Sequence, residues 1–168
     1  MKNRLFIPLA SLFMLAFLFT GCSQLLSDVK VLEENDKGVA AMNGGDSEGS
    51  IVHFQNAINL NPDDPETRST IYRNIALAHS DLMNDDSAIL YHKKAANCFE
   101  PGDYFYLINM ADADLYSENI GSAVSRLLKA QALNPNDVGA NNSLGLIKKG
   151  KDSYWKLEEE KNAIQVQP

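Results

Sequence analysis

The 168-residue chain is poor in the residues that usually carry chemistry: two cysteines, one tryptophan and three histidines. Two cysteines, Cys22 and Cys98, build no disulfide framework. His53, His79 and His92 have no companion at metal-ligand or catalytic spacing, so His79 and His92 read as inward-packing side chains and His53 as an exposed one. Asp112-Ala113-Asp114 lacks the glycine and the distant glutamate of a calcium loop. No serine sits in a nucleophile elbow, and no glycine-rich loop follows a strand. An enzyme reading has no residue to rest on, and no cofactor or metal is implied. Basic residues are scarce too, 15 against 22 acidic ones for a net charge of -7. That balance excludes the Lys/Arg-rich face that nucleic acid demands. Long apolar runs are also missing. The longest, Leu5 to Phe19, has 15 residues, short of the roughly 20 that span a bilayer.

That run belongs to the opening "MKNRLFIPLASLFMLAFLFTGCS", where Lys2 and Arg4 precede it and small residues follow. The order is that of a secretory signal peptide. Thr20-Gly21-Cys22 resembles the lipobox of bacterial lipoproteins, with Phe19 where leucine is usual and Leu18 one place early. The resemblance implies cleavage before Cys22 and lipid attachment to it. Ser23, by the same resemblance, favours the outer membrane facing the periplasm in a diderm cell; in a monoderm the protein would sit on the outer face of the cell membrane. Each buried methylene contributes about 0.8 kcal/mol, so two or more acyl chains make a lasting anchor. Loss of residues 1–21 removes Lys2 and Arg4, taking the charge from -7 to -9 and the length from 168 to 147. The chain divides into a signal peptide over 1–21, a lipidated start and short tether over 22–30, and one domain over 31–168.

Within that domain one phrase recurs. "FQNAINLNP" ends at Pro62, "HKKAANCFEP" at Pro101, "LLKAQALNP" at Pro135 and "NAIQVQP" at Pro168. Each closes the same layout: a helix with a large-then-small step, a polar turn, and a second helix with small or bulky inward residues. The steps are Gly38, Ile75-Ala76, Met110-Ala111 and Leu144-Gly145. The turns are Asn43 to Asp46, "NDD" and "SEN", and the inward faces are Phe54 and Ala57, then Ala88, His92 and Ala95, then Ala123, Leu127 and Ala130. Asp64, Asp103 and Asp137 supply start signals for the following helices. Proline stops each second helix.

The pattern resembles the tetratricopeptide repeat, whose marks are a leucine-glycine step, Ala-x3-Phe and a closing proline. It predicts an all-α fold: a short α-solenoid of about four helix-turn-helix units covering residues 31–168. A lone helix pair cannot bury its apolar face, so neighbouring units must stack. Lys156 and Glu160 replace the inward residues of the fourth unit, making it a polar cap, with Tyr154 and Trp155 packed near it. Glu34 and Lys37 weaken the first unit. Cys98 reads as a small buried side chain.

Such arrays carry a concave face of stacked first helices, which in resembling families binds peptides or partner proteins. Helical spacing places Arg73, Asn74 and Leu77 there in the second unit, and Phe105, Ile108, Asn109 and Asp112 in the third. Asn74 and Asn109 each lie two residues before the small step, where asparagines of resembling peptide-binding arrays hydrogen-bond a ligand backbone. The lysine-rich clamp that some relatives close on a C-terminal carboxylate is absent. The expected function is a lipid-anchored adaptor holding another envelope protein or peptide segment, with no nucleic acid. Lipoproteins of the Tad/Flp pilus and pilotin type are similar in build. Two alternatives stand beside it: an envelope regulator docking cell-wall enzymes, and a small-molecule carrier or enzyme with an enclosed pocket.

Overall fold

The computed structural model describes residues 9–136 and 138–150, with side chains from residue 26 onward. Among them there are helices and no strands: α1 (Leu9–Asn43), α2 (Ser47–Asn59), α3 (Pro65–Asp81), α4 (Asp85–Ala96), α5 (Tyr104–Tyr116), α6 (Ile120–Leu133) and α7 (residues 138–150). The helices pair as α1/α2, α3/α4 and α5/α6, and each pair packs on the next through α2/α3 and α4/α5. Neighbours in space are neighbours in sequence, as a solenoid requires. α1 runs through Cys22 to Asn43, so residues 22–30, expected as a tether, are helical. Among the described residues no helix is long and apolar enough to cross a membrane.

The three turns inside the units share one geometry. In each, a left-handed residue follows the first helix: Gly45 at φ 83°, Met83 at φ 56° and Glu118 at φ 56°. Its N–H donates to the carbonyl three residues back, and the next N–H donates five residues back: Asp46 to Ala41 at 2.9 Å, Asn84 to His79 at 2.9 Å, Asn119 to Asp114 at 2.8 Å. This is a Schellman stop, and the residue that completes it is also the N-cap of the next helix. Asp46 caps the N–H of Gly49, and Asn84 that of Ser87. Asn119 holds the N-cap position without a side-chain bond. Between units, Asp64 accepts from both the N–H and the hydroxyl of Thr67 at 2.7 Å, with Pro65 opening α3. Asp103 takes the N-cap position of α5 but makes no such bond, and Asp137 lies outside the described residues.

Packing follows the repeat register. Ser50, Ala88 and Ala123 are fully buried, as are Ala57, Ala95 and Ala130. The large slot between them holds Phe54, His92 or Leu127, all buried. Gly38 is forced by the first of these: a Cβ on it would lie 2.5 Å from the Phe54 ring. Ala76 and Ala111 occupy the same register in the next two units and are fully buried. One apolar cluster gathers Val31, Phe54, Ala57, Ile71 and Ile75, and a second gathers Leu107, Ala111, Leu127, Ala130 and Ala140. The layer between them is narrow, built from Ala78, Ala88, Ala95 and Ala96 around His92.

Four expectations are revised or fall elsewhere. Gly145 meets nothing within 4 Å; the segment expected to cover it, with Tyr154, Trp155, Lys156 and Glu160, lies outside the described residues. Cys98 is half-buried rather than enclosed, because α4 ends at Ala96 and the turn carries it outward. His53 is partly covered: it sits 3.0 Å from Glu34. Glu34 and Lys37 do not leave the first unit bare, since Glu34 ties α1 to α2 through Asn56 and His53 and pairs within α1 with Lys37 at 2.8 Å. Those bonds, His53 foremost and Lys37 next, draw the Glu34 carboxyl down to about 2.

Candidate functional site

The concave face is built by α3 and α5. On α3, Arg73 and Leu77 are exposed and Asn74 is half-buried, its amide donating to Asn35 of α1 at 3.1 Å. On α5, Phe105 is exposed, Ile108 and Asp112 are half-buried, and Asn109 is buried. Asn109 therefore departs from the ligand-contacting role expected of it. Its amide nitrogen donates to Ser69 of α3 at 3.2 Å and to the Phe105 carbonyl at 2.7 Å, pinning two first helices together. The reason is the spacing of α3 and α5, which brings Ser69 within reach. Phe105 belongs to an aromatic group at the α4–α5 connection, with ring centres 5.1 Å from Phe99 and 5.2 Å from Tyr104.

Three of the expected residues, Arg73, Leu77 and Asp112, meet at one recess of about 370 Å³, completed by His92, Leu115 and Tyr116. It opens on solvent between α3 and α5, with α4 beneath. The repeat register marks His92 as core packing, and its burial agrees with that. Sequence reasoning misses that its slot also floors the recess. The ring lies against Tyr116, centre to centre 5.4 Å. Both ring nitrogens are buried without a hydrogen-bond partner. The nearest carboxylate, Asp112 Oδ2, stands 3.9 Å from Nδ1, beyond bonding range. The signal is legible in part, because a histidine occupies the register of Phe54 and Leu127. Its meeting with Asp112, a helix and a loop away, is not.

The electrostatics follow from that burial. Desolvation holds His92 down at about 4, with the Arg73 charge acting the same way, so the imidazole is neutral at pH 7. Desolvation pushes Asp112 up to about 6, against the opposing pull of Arg73. The recess thus offers a cation, a desolvated carboxylate and a neutral imidazole with one donor and one acceptor. Among the described residues, no cluster of three or more His, Cys, Asp or Glu could hold a metal ion. Cys22 lies where side chains are not described.

No protein-family model matches the chain, and no curated protein matches it in sequence. Solved structures do. The first tetratricopeptide-repeat domain of Spaghetti (RPAP3), solved with an HSP90 peptide, is 19% identical with a TM-score of 0.58, over 73% of this chain and 96% of that one. The domain of Arabidopsis OM64 is 20% identical with a TM-score of 0.57, over 74% of this chain and 98% of that one. The TPR2B domain of yeast Sti1, solved as a pHsp70 complex, is 23% identical with a TM-score of 0.58, over 74% of this chain and 98% of that one. At these identities the likeness carries the architecture: the fold is a short all-α solenoid of the tetratricopeptide-repeat type.

Proposed function

We propose that this chain is a lipid-anchored adaptor, tethered through Cys22, that holds a segment of another envelope protein in its concave groove. It does so at the periplasmic face of the outer membrane in a diderm cell, or on the outer face of the membrane in a monoderm. Assembly of a pilus or secretion machine is the setting in which lipoproteins of this build serve. The observation that carries the reading is the open recess between α3 and α5. Arg73, Leu77 and Phe105 stay open to solvent on α3 and α5, and Arg73 and Leu77 border the recess that lies between those two first helices. Exposed apolar side chains beside a fixed charge are what a peptide-binding groove presents. The HSP90 peptide on Spaghetti and the Hsp70 complex of Sti1 support peptide capture by this architecture. The groove sets Arg73 and Asp112 at one recess, which points to a segment other than one recognised by a lysine clamp. The recesses among the described residues are open rather than enclosed, which favours a segment of chain over a small sealed ligand.

The test is photo-crosslinking in cells from position 77, followed by identification of the captured protein. Arg73→Ala combined with Leu77→Ala is expected to cut capture at least tenfold with unchanged helix content; undiminished capture would move the site off this face. Cys22→Ala is expected to release the protein from membranes. Continued sedimentation with them would make the apolar run itself the anchor.

A further inference from the structure

We propose that the recess between α3, α4 and α5 is a carboxamide subsite, receiving the side-chain amide of an asparagine or glutamine from the bound partner segment. The proposal rests on the groove reading above and gives it a chemical preference. Its first support is the balance of charge. Arg73 and Asp112 line one recess, so an entering carboxylate meets Asp112 and an entering ammonium meets Arg73. A neutral group that both donates and accepts meets neither repulsion. A carboxamide does so, with two N–H donors for Asp112 and one oxygen for the Arg73 guanidinium.

The second support is the unfinished hydrogen bonding beneath. His92 is 2% exposed, and both its ring nitrogens lack partners. A buried polar group left this way is costly, and each instance calls for a reason. Asp112 Oδ2 stops 3.9 Å from Nδ1; a shift of about 1 Å brings it into bonding range. With that bond made, Nδ1–H is satisfied and the other carboxylate oxygen is left to accept an amide N–H from the ligand. The third support is shape. Leu77, Leu115 and the Tyr116 ring give apolar walls against which the methylenes and flat face of a glutamine side chain can lie. Together these features select by hydrogen bonding what the walls alone would not distinguish.

The full-length chain in detergent micelles tests this by nuclear magnetic resonance, with three small probes: propionamide, propionate and propylammonium. Propionamide is expected to move the His92 ring and the Leu77 and Leu115 methyl signals, binding at least fivefold more tightly than either ion. Arg73→Gln should switch the preference to propylammonium, and Asp112→Asn should switch it to propionate. Preference for an ion in the unaltered chain, no response to any probe, or an unchanged order in both variants would overturn the subsite. So would a shift of the His92 signals on removing residues 162–168, which carry Gln165 and Gln167, because the pocket would then belong to the chain's own tail. Loss of partner capture in the Arg73 and Leu77 double variant, without any amide preference, would sink the subsite and leave the groove standing.

Discussion

The pair at the floor of the groove makes a prediction whose sign depends on which member is removed. His92 drops from 6.5 to about 4 on folding, so between those values the unfolded chain binds a proton that the fold refuses. Stability is therefore lost as pH falls through that window. Asp112 rises from 3.8 to about 6, so the fold takes its proton first and gains stability as pH falls from about 6. At about 1.36 kcal/mol per pH unit each effect approaches about 3 kcal/mol when complete. Between pH 7 and pH 4 the two oppose each other and largely cancel. Each single variant should unmask the other. Relative to the unaltered chain, on going from pH 7 to pH 4, Asp112→Asn is expected to lose about 2 kcal/mol and His92→Leu to gain about 3 kcal/mol. Urea unfolding followed by circular dichroism at pH 7, 5.5 and 4 measures this directly. The rest of the chain is common to all three proteins, so only the differences between curves count. Three parallel curves would refute the reasoning, since they would mean that neither group is desolvated as its position implies.

Two further predictions concern the backbone and the core. Met83→Gly and Glu118→Gly relieve left-handed residues at φ 56°, and Met83 is 92% exposed, so its side chain contributes no packing. Each is expected to stabilise by about 1 kcal/mol, read as a higher urea midpoint at unchanged slope. Gly38→Ala drives a methyl into the Phe54 ring and is expected to cost about 1–3 kcal/mol. The same change in a Phe54→Leu background should cost much less, and a double-mutant cycle showing no coupling would remove the contact as the cause.

The sequence by itself determined the repeat. Small steps at Gly38, Ala76 and Ala111, bulky slots at Phe54, His92 and Leu127, and polar turns between them can be read off the spacing, because helical period and turn chemistry are local properties. Even there the phrase misleads slightly. "LNP" ends α2 with Asn61 left-handed at φ 55°, whereas in the third unit Asn134 sits at φ -137°. The same three letters therefore leave their helices by different backbone paths. The groove was legible as a face but not as a site. Helical spacing put Asn109 on that face beside Arg73, yet the approach of α3 to α5 buries Asn109 against Ser69 and leaves Arg73 free. Only the tertiary structure decided that His92 would lie beneath Asp112 with both nitrogens unpartnered. That outcome depends on the angle and distance between α4 and α5, two helices of different units. Such spacing is fixed by how alanines of the middle unit let neighbouring helices close in, and no single window of the chain contains it.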